Sequence, residues 1–224
     1  MSHPQANHVQ ARGVLPGVLF MIAAVVALGA YFKFVSGAPL TIDTAWRDVV
    51  QLTRQSFAFP LAAFLAEFGT SLGVAACAAI VAALLFAMRH RREALAIITA
   101  LALGVALSEA MKFLVGRPRP LDAIYAFTET SYPSGHSMGA AALAVSFALA
   151  VSSISRRVGA RLSRTAVRWV WIAAIAWTIL MMWSRTALGV HWLSDVIAGA
   201  LLGLSTALIA HRVWCRRVGV DSQA

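Results

Sequence analysis

Long apolar runs dominate this 224-residue chain. A helix needs about 20 predominantly apolar residues to cross a hydrocarbon core roughly 30 Å thick, and the sequence offers a succession of segments that approach this length. They run from Val14 to Val35, Phe68 to Met88, Ala94 to Met111, Gly135 to Ile154, Trp169 to Trp183 and Trp192 to Ala210. We therefore predict an all-α fold, a polytopic membrane protein whose six transmembrane helices form one bundle and a single domain over residues 1–224.

The composition is typical of a protein embedded in lipid. Hydrophobic residues make up 60% of the chain and charged residues 12%, whereas charged residues make up roughly a quarter of a soluble domain. The formal net charge of +10 could indicate nucleic-acid binding, but no basic stripe interleaves with aromatic residues as such a site requires. We expect the lipid bilayer as a partner and no nucleic acid. Cys77 and Cys215 have neither metal nor redox spacing.

Basic residues alternate between loops in the pattern that orients helices across a membrane. Twelve of the 19 Lys and Arg residues fall on one side: Arg12, Arg89, Arg91, Arg92, Arg156, Arg157, Arg161, Arg164, Arg168, Arg212, Arg216 and Arg217. The richer side is expected to be cytoplasmic. This places both termini in the cytoplasm of a multi-pass protein of the cell (inner) membrane, and the loops described next on the periplasmic or extracytoplasmic side.

The segment from Ser36 to Ser56 is polar enough to lie outside the spans. Thr41 or Asp43 is expected to cap a short amphipathic helix there, with its apolar side formed by Trp46, Val49, Val50 and Leu52. Pro60 is expected to interrupt helical structure there, so that the second span begins only near Phe68.

The first of three polar segments follows the third apolar run. Lys112 stands at a helix end, and Arg117 and Arg119 follow in an Arg-Pro-Arg-Pro turn. A lysine at this position can simply extend to the interface, but the segment lies on the side that carries fewer cations. Arginine binds phosphate oxygens bidentately and lysine adds a compact charge, so this segment is a candidate phosphate-binding site.

The second segment, Pro-Ser-Gly-His at 133–136, opens the fourth helix. Ser134 is a good helix cap in any protein. A helix start also offers free backbone N–H groups to an anion, and Gly135 lets a ligand approach closely. His136 then lies in the first turn, within reach of that anion.

The third segment joins the fifth and sixth helices and contains Arg185, His191 and Asp195. Because the last two are four residues apart, we expect them on one face of the sixth helix. A carboxylate bonded to one imidazole nitrogen leaves the other free as a nucleophile or base. The alternative is a structural hydrogen bond between helices, but ionisable groups at such depth are costly and are functional by default.

The predicted topology brings all three segments to one side of the membrane. Three cations, a helix N-terminus and two histidines would repel one another unless a multiply charged anion bound among them. Phosphate is the obvious biological choice.

Taken together, the three segments resemble the motifs of the type 2 phosphatidic acid phosphatase superfamily, K-x6-R-P, P-S-G-H and S-R-x5-H-x3-D. The motif-bearing part is 112–195, and the fixed positions are Lys112, Arg119, Pro120, Pro133, Ser134, Gly135, His136, Ser184, Arg185, His191 and Asp195. The spacing selects Arg119 and leaves Arg117 as an auxiliary residue.

The resemblance implies a metal-independent enzyme without a cofactor. His191 would attack phosphorus, Asp195 would orient it, and His136 would protonate the leaving oxygen. Phosphate would be bound by Lys112, Arg119, Arg185, Ser134 and Gly135. Water would then hydrolyse the phosphohistidine, with the cations replacing the Mg²⁺ that other phosphoryl-transfer enzymes use.

Members of this family act on lipid phosphates and diphosphates, so the expected partner is a membrane lipid phosphate. The first choice is undecaprenyl diphosphate; phosphatidate, phosphatidylglycerol phosphate and lipid A phosphate are alternatives. In the loop 121–132, Tyr125, Phe127 and Tyr132 are expected to touch the head group or upper tail. Glu109, one turn before Lys112, is expected to pair with it or tune its charge; the alternative is a helix-end ion pair of little consequence.

Two other classes of function are open. A non-enzymatic lipid or anion transporter would also use intramembrane charges, but it needs a path across the bilayer, for which Glu67 and Glu109 are the only further candidates. A vanadium haloperoxidase would share the oxyanion pocket, but those proteins are mostly soluble.

Overall fold

The computed structural model describes residues 6–121, 123–125, 130–157 and 163–215, with side chains from residue 14 onward, and these residues form eight helices. The helices are α1 (Ala6–Phe34), α2 (Thr41–Val50), α3 (Phe59–Phe68), α4 (Ser71–Ala87), α5 (Arg91–Val115), α6 (Gly135–Arg157), α7 (Arg164–Ala187) and α8 (Leu193–Cys215). The predicted all-α class is confirmed.

Helices α1, α5, α6, α7 and α8 are each long and apolar enough to cross a membrane. The predicted second span is instead a pair, because α3 and α4 meet at a bend of 62° and reach the spanning length only together. The prediction that Pro60 interrupts helical structure is wrong. Pro60 occupies the first turn of α3, where its missing N–H costs no hydrogen bond. Counting the pair as one span gives the expected six. The orientation of the termini stays a prediction.

Helices α6 and α8 form the centre of the bundle, and α5 packs against both. The α6–α8 contact is close because glycines of α8 face α6. A Cβ on Gly203 would lie 2.2 Å from the carbonyl oxygen of Met138, and a Cβ on Gly199 would lie 2.3 Å from that of Ser134. Small residues let membrane helices approach to backbone contact in this way. At the other end of the bundle, Glu93 of α5 pairs with Arg157 of α6.

Helix α2 is the amphipathic helix predicted between the first two spans. Its N-cap is Leu40 rather than Thr41 or Asp43, and Asp43 accepts a hydrogen bond from the Leu40 backbone N–H at 3.0 Å. Trp46 holds the helix against α7 through a 3.0 Å hydrogen bond from its indole N–H to the Thr186 hydroxyl.

Several boundaries differ from those predicted. Helix α5 continues past Met111 to Val115, so Lys112 lies in its last turn; Gly116, with φ of +67°, ends it. Helix α7 begins at Arg164, where the Ser163 hydroxyl caps the backbone N–H of Ala166. Helix α8 begins at Leu193, just after His191.

Candidate active site

A cavity of about 140 Å³ opens where α4, α5 and α6 meet the loops before α6 and α8. Its charged end is lined by most of the residues that the motifs single out: Lys112, Arg119, Gly135, His136, Arg185 and His191. Its other end is lined by apolar side chains of the membrane-spanning helices: Val74, Ala75, Leu101, Val105 and Met138. The cavity is therefore amphipathic, with cations at one end and a hydrocarbon-like wall at the other.

His191 lies in the turn between α7 and α8, and only 4% of its surface is exposed. Its Nε2 is 3.1 Å from the Arg119 Nη1. Since the guanidinium has only donors, Nε2 is the acceptor and carries a lone pair toward the cavity. Burial, and next the positive charge of Arg119, hold the pKa of His191 well below its ordinary value. The imidazole is therefore neutral at neutral pH, as a nitrogen nucleophile must be.

The cations of the cavity come from three different elements. Lys112 is on the last turn of α5, where its ammonium pairs with Glu109 at 2.8 Å, so the pairing considered for Glu109 is present. Arg119 follows in the loop, and its Nη1 also donates to the Val190 carbonyl at 2.9 Å. Arg185, only 2% exposed, lies at the end of α7. Among the described residues that line the cavity, Glu109 is the one carboxylate, so the described side chains of the charged end have a surplus of positive charge that an anion would balance.

The bend between α3 and α4 contacts His136. The imidazole Nε2 lies 3.0 Å from the Ala66 carbonyl oxygen near the end of α3, so it is the protonated nitrogen. A Cβ on Gly69, at the bend, would lie 3.0 Å from the imidazole Cδ2 of His136 and 2.5 Å from the terminal methyl carbon of Met181. The bend between α3 and α4 thus places the Ala66 carbonyl and Gly69 against His136.

Ser134 and Gly135 form the start of α6, as predicted. Gly135 lines the cavity, and a Cβ there would meet only the Lys112 ammonium, at 3.7 Å. Ser134 is fully buried, with its hydroxyl accepting a 3.1 Å hydrogen bond from the Ser137 hydroxyl. It is not among the lining residues, so its side chain caps the helix rather than facing the cavity.

Asp195 does not share a helix face with His191, because α8 begins between them. Its Oδ2 accepts a 2.9 Å hydrogen bond from the backbone N–H of Trp192, as a carboxylate in the third position of a helix commonly does. The same oxygen is 3.6 Å from His191 Nδ1, which is longer than a hydrogen bond. Asp195 therefore lies behind the imidazole, on the side away from Nε2, without a direct hydrogen bond in this structure.

Arg117 does not take the auxiliary phosphate-binding position expected of it. It is 1% exposed and is not among the residues that line the cavity. Its guanidinium donates to Asp195 Oδ1 at 2.5 Å and to Asp43 Oδ2 at 2.8 Å, and lies 3.6 Å from the centre of the Phe32 ring. Two carboxylates and an aromatic face hold this cation behind the site.

Sequence reasoning missed two residues near the cavity. Asp43 was considered only as a cap, although it lies three residues before Trp46, on the apolar side of an amphipathic helix, where a carboxylate needs a partner. Ser108 lines the cavity one turn before Lys112, and its buried hydroxyl has no hydrogen-bond partner. No sequence pattern distinguishes Ser108 from an ordinary serine of a membrane helix.

The aromatic residues predicted to touch the substrate differ in position. Tyr132 is fully buried and donates a 2.7 Å hydrogen bond to the Val25 carbonyl; burial raises its pKa above the ordinary value. It packs against α1 and cannot contact a head group. The Tyr125 ring lies 5.6 Å from the Arg54 guanidinium, and Phe127 lies outside the described residues.

Two solved structures resemble the fold. A transmembrane PAP2 type phosphatidylglycerolphosphate phosphatase from Bacillus subtilis superposes with a TM-score of 0.73 at 24% identity, covering 88% of this chain and 94% of that one. LpxE from Aquifex aeolicus superposes with a TM-score of 0.59 at 18% identity, covering 77% of this chain and 96% of that one. At these identities the likeness establishes the fold.

A curated relative, the undecaprenyl-diphosphatase of Sulfolobus acidocaldarius, is 31% identical over 131 residues, which are 55% of this chain and 56% of the relative. The match thus spans about half the length of that relative. The sequence model of the PAP2 superfamily matches residues 93–218, which include the cavity residues from α5, α6 and the two loops. With that match over more than half of its length, the chain belongs to the PAP2 superfamily.

Proposed function

We propose that this protein is an integral membrane lipid phosphatase that hydrolyses a phosphate monoester or diphosphate of a lipid through a phosphohistidine on His191. One observation carries the proposal: Lys112, Arg119, Arg185, His136 and His191 line a single cavity that continues into an apolar wall. The charged end fits a phosphoryl group, and the apolar end fits the hydrocarbon beside it.

The first step is attack by Nε2 of His191 on phosphorus. The lone pair of Nε2 faces the Arg119 guanidinium, and a bound phosphoryl group would take the place of this hydrogen bond, with its oxygens on the guanidinium and its phosphorus toward the nitrogen. The N–P bond forms as the bond to the leaving oxygen breaks. The three cations and the Gly135 backbone N–H stabilise the charge on the phosphoryl oxygens as it develops.

His136 serves the leaving oxygen and then the water. In this structure it is protonated on Nε2 and holds the Ala66 carbonyl, which leaves Nδ1 to take up and release the proton. For this role Nδ1 takes up a proton from solvent as the anionic substrate binds, and it then passes that proton to the leaving oxygen. It then accepts a proton from the water that attacks the phosphohistidine, which breaks the N–P bond and regenerates neutral His191. The products are the dephosphorylated lipid and phosphate.

The substrate is proposed to be undecaprenyl diphosphate. The undecaprenyl-diphosphatase relative supports this choice, and an apolar wall beside the cations suits a long isoprenoid. The two solved structures carry other names, a phosphatidylglycerolphosphate phosphatase and LpxE, so phosphatidate, phosphatidylglycerol phosphate and lipid A phosphate form the comparison set. The charge pattern of the loops supports a site on the extracytoplasmic face of the cell (inner) membrane.

The test is phosphate release by the purified protein from a panel of lipids and one soluble aryl phosphate, with and without a chelator, beside His191→Ala. The expected result is release from a lipid diphosphate or monophosphate that the chelator leaves intact and His191→Ala abolishes. Release only from the aryl phosphate would overturn the lipid assignment, and a loss with chelator would overturn metal independence. Equal release by His191→Ala would remove the nucleophile.

A further inference from the structure

Asp43 belongs to α2, far in sequence from the motif-bearing residues 112–195, yet it is 1% exposed and reaches the back of the active site. Its Oδ2 accepts a 2.8 Å hydrogen bond from the Arg117 guanidinium. Both oxygens also accept hydrogen bonds from Ser194. Its backbone N–H donates to Oδ1 and its hydroxyl donates to Oδ2, each at 2.8 Å. Ser194 is the residue immediately before Asp195. Asp43 therefore contacts both the cation and the backbone that hold Asp195.

Each oxygen of Asp195 has a fixed donor. Arg117 binds Oδ1 at 2.5 Å, and the Trp192 N–H binds Oδ2 at 2.9 Å. This arrangement keeps Oδ2 at 3.6 Å from His191 Nδ1. Without Asp43, the Arg117 guanidinium would lose one of its two carboxylates and would turn fully toward Asp195.

The charges of this group do not cancel. Two carboxylates share one guanidinium, so the group of Asp43, Arg117 and Asp195 has a net charge of −1 at neutral pH and lies almost completely buried behind His191. On the cavity side the described groups that act most strongly on the imidazole are Arg119, Arg185 and Lys112, all of them cations. When Nε2 becomes bonded to phosphorus the ring becomes cationic, and the net negative charge behind it offsets that change. A neutral residue at position 43 would leave a balanced Arg117–Asp195 pair there.

Anchoring of α2 does not fully account for Asp43, although its Oδ2 also accepts the Leu40 N–H at the start of the helix. The helix already has the Trp46–Thr186 hydrogen bond and the Arg47 guanidinium over the Trp192 ring, 5.7 Å from its centre. Buried ion pairs hold structure poorly compared with apolar packing, because desolvation consumes most of the Coulombic gain. A buried carboxylate on the apolar side of a surface helix is a poor anchor and a good source of fixed charge.

We propose that Asp43 is a positioning residue of the active site, which keeps Arg117 shared between two carboxylates so that Asp195 presents uncompensated negative charge to His191. This inference rests on the proposed function. Helix α2 is therefore a part of the catalytic apparatus although it lies outside the three motifs.

The test compares Asp43→Asn with Asp48→Asn, an exposed carboxylate on the same helix, in the full-length protein. Asp43→Asn is expected to lower kcat/KM by about 10- to 100-fold, the loss typical when a residue that orients a site residue through hydrogen bonds is replaced, and to slow formation of the phosphoenzyme. The inhibition constant of vanadate, measured on the plateau of the pH profile, should change little, because Asp43 does not touch the oxyanion. Asp48→Asn should match the wild type in every measurement.

The pH profile separates charge from structure. Loss of negative charge behind His191 lowers the pKa of the imidazole further, so the acid limb of kcat/KM should move to lower pH in Asp43→Asn. Among the described residues, the charged and titratable groups around this imidazole are Lys112 and Glu109 of α5, His136 of α6, Arg185 of α7, Asp195 of α8, and Arg117 and Arg119 of the loop after α5. A merely structural role for Asp43 predicts a uniform loss of activity with the limb unmoved, and that result would overturn the proposal.

A double variant distinguishes a charge effect from a folding defect in Asp43→Asn. Asp43→Asn with Arg117→Gln removes one charge of each sign and leaves Asp195 with its net −1. It should therefore form phosphoenzyme faster than Asp43→Asn alone, and a slower rate than the single variant contradicts the charge argument. An inactive wild-type protein would refute the proposed function instead, whereas an active wild type with an equally active Asp43→Asn refutes only this inference.

Discussion

Gly199 gives the most quantitative test of how the bundle builds the active site. A Cβ at this position of α8 would lie 2.3 Å from the Ser134 carbonyl oxygen and 3.2 Å from the Met138 backbone nitrogen. Ordinary carbon contacts need about 3.5 Å, so Gly199→Ala must push α8 away from the start of α6 by about 1 Å. Backbone atoms cannot rotate aside, as a flexible side chain could.

The displaced surfaces carry the reacting groups. Ser134 precedes Gly135 and His136 on α6, and its N–H donates a 3.0 Å hydrogen bond to the Asp195 carbonyl at the start of α8. Overpacking of this kind costs about 1–3 kcal/mol of folding free energy. A shift of 1 Å between reacting groups can cost about 100-fold in rate. Both losses are expected in Gly199→Ala.

The assay measures thermal unfolding and lipid phosphatase turnover in the same detergent, beside two glycine controls. Gly17 has no atom within 4 Å of the added Cβ, so Gly17→Ala should be as active as the wild type and at least as stable, because Ala favours a helix over Gly. A Cβ on Gly203 would lie 2.2 Å from the Met138 carbonyl oxygen, one turn farther along α8. Gly203→Ala should therefore destabilise as much while affecting turnover less. Wild-type stability and turnover in Gly199→Ala would refute the close α6–α8 contact.

Three further outcomes follow from the cavity. The pKa of His191 is lowered in the folded protein, whereas in the unfolded chain the imidazole takes up a proton near its ordinary pKa of about 6.5. The contribution of His191 to stability should therefore fall as the pH drops below about 6.5. The acid limb of kcat/KM should also lie below that value. Ser108→Ala should raise KM for the lipid about 2- to 10-fold, the worth of one neutral hydrogen bond, and leave the aryl phosphate unchanged. Ser146→Ala, which removes another buried hydroxyl without a partner, should change neither, and equal effects of both serines would contradict a substrate contact at Ser108. Glu109→Gln should lower KM for the anionic lipid with little change in unfolding temperature, since a pair this exposed contributes little to stability; a raised KM would show that Glu109 serves binding.

The motif residues were accessible to sequence reasoning because chemistry and spacing coincide in them. Lys112, Arg119, Arg185, His136 and His191 belong to three segments that each end or begin a span, so the topology alone predicts that they meet. Apolar length likewise predicts five of the spans.

The rest depends on partners distant in sequence. Arg117 and Arg119 stand in identical Arg-Pro contexts, and nothing local says that the first turns inward to a carboxylate 74 residues earlier. The placement of Asp195 depends on whether α8 begins before or after His191, a difference of one or two residues, which is the usual uncertainty of a helix end. The bend between α3 and α4 has a local signal, because Gly69 ends α3 and the Thr70 hydroxyl caps α4 by accepting a hydrogen bond from the Gly73 N–H. The hydrogen bond between His136 and the Ala66 carbonyl beside this bend joins residues 70 positions apart, and no local pattern predicts it.

Chemical trapping of the phosphohistidine tests whether His191 is the nucleophile. Protein turned over with a ³²P-labelled lipid phosphate and quenched in alkali should retain label on a histidine, identified as His191 by peptide mapping and released by mild acid. His191→Ala should retain none. Label on any other residue, or rapid turnover with no labelled protein under these conditions, would contradict attack by His191.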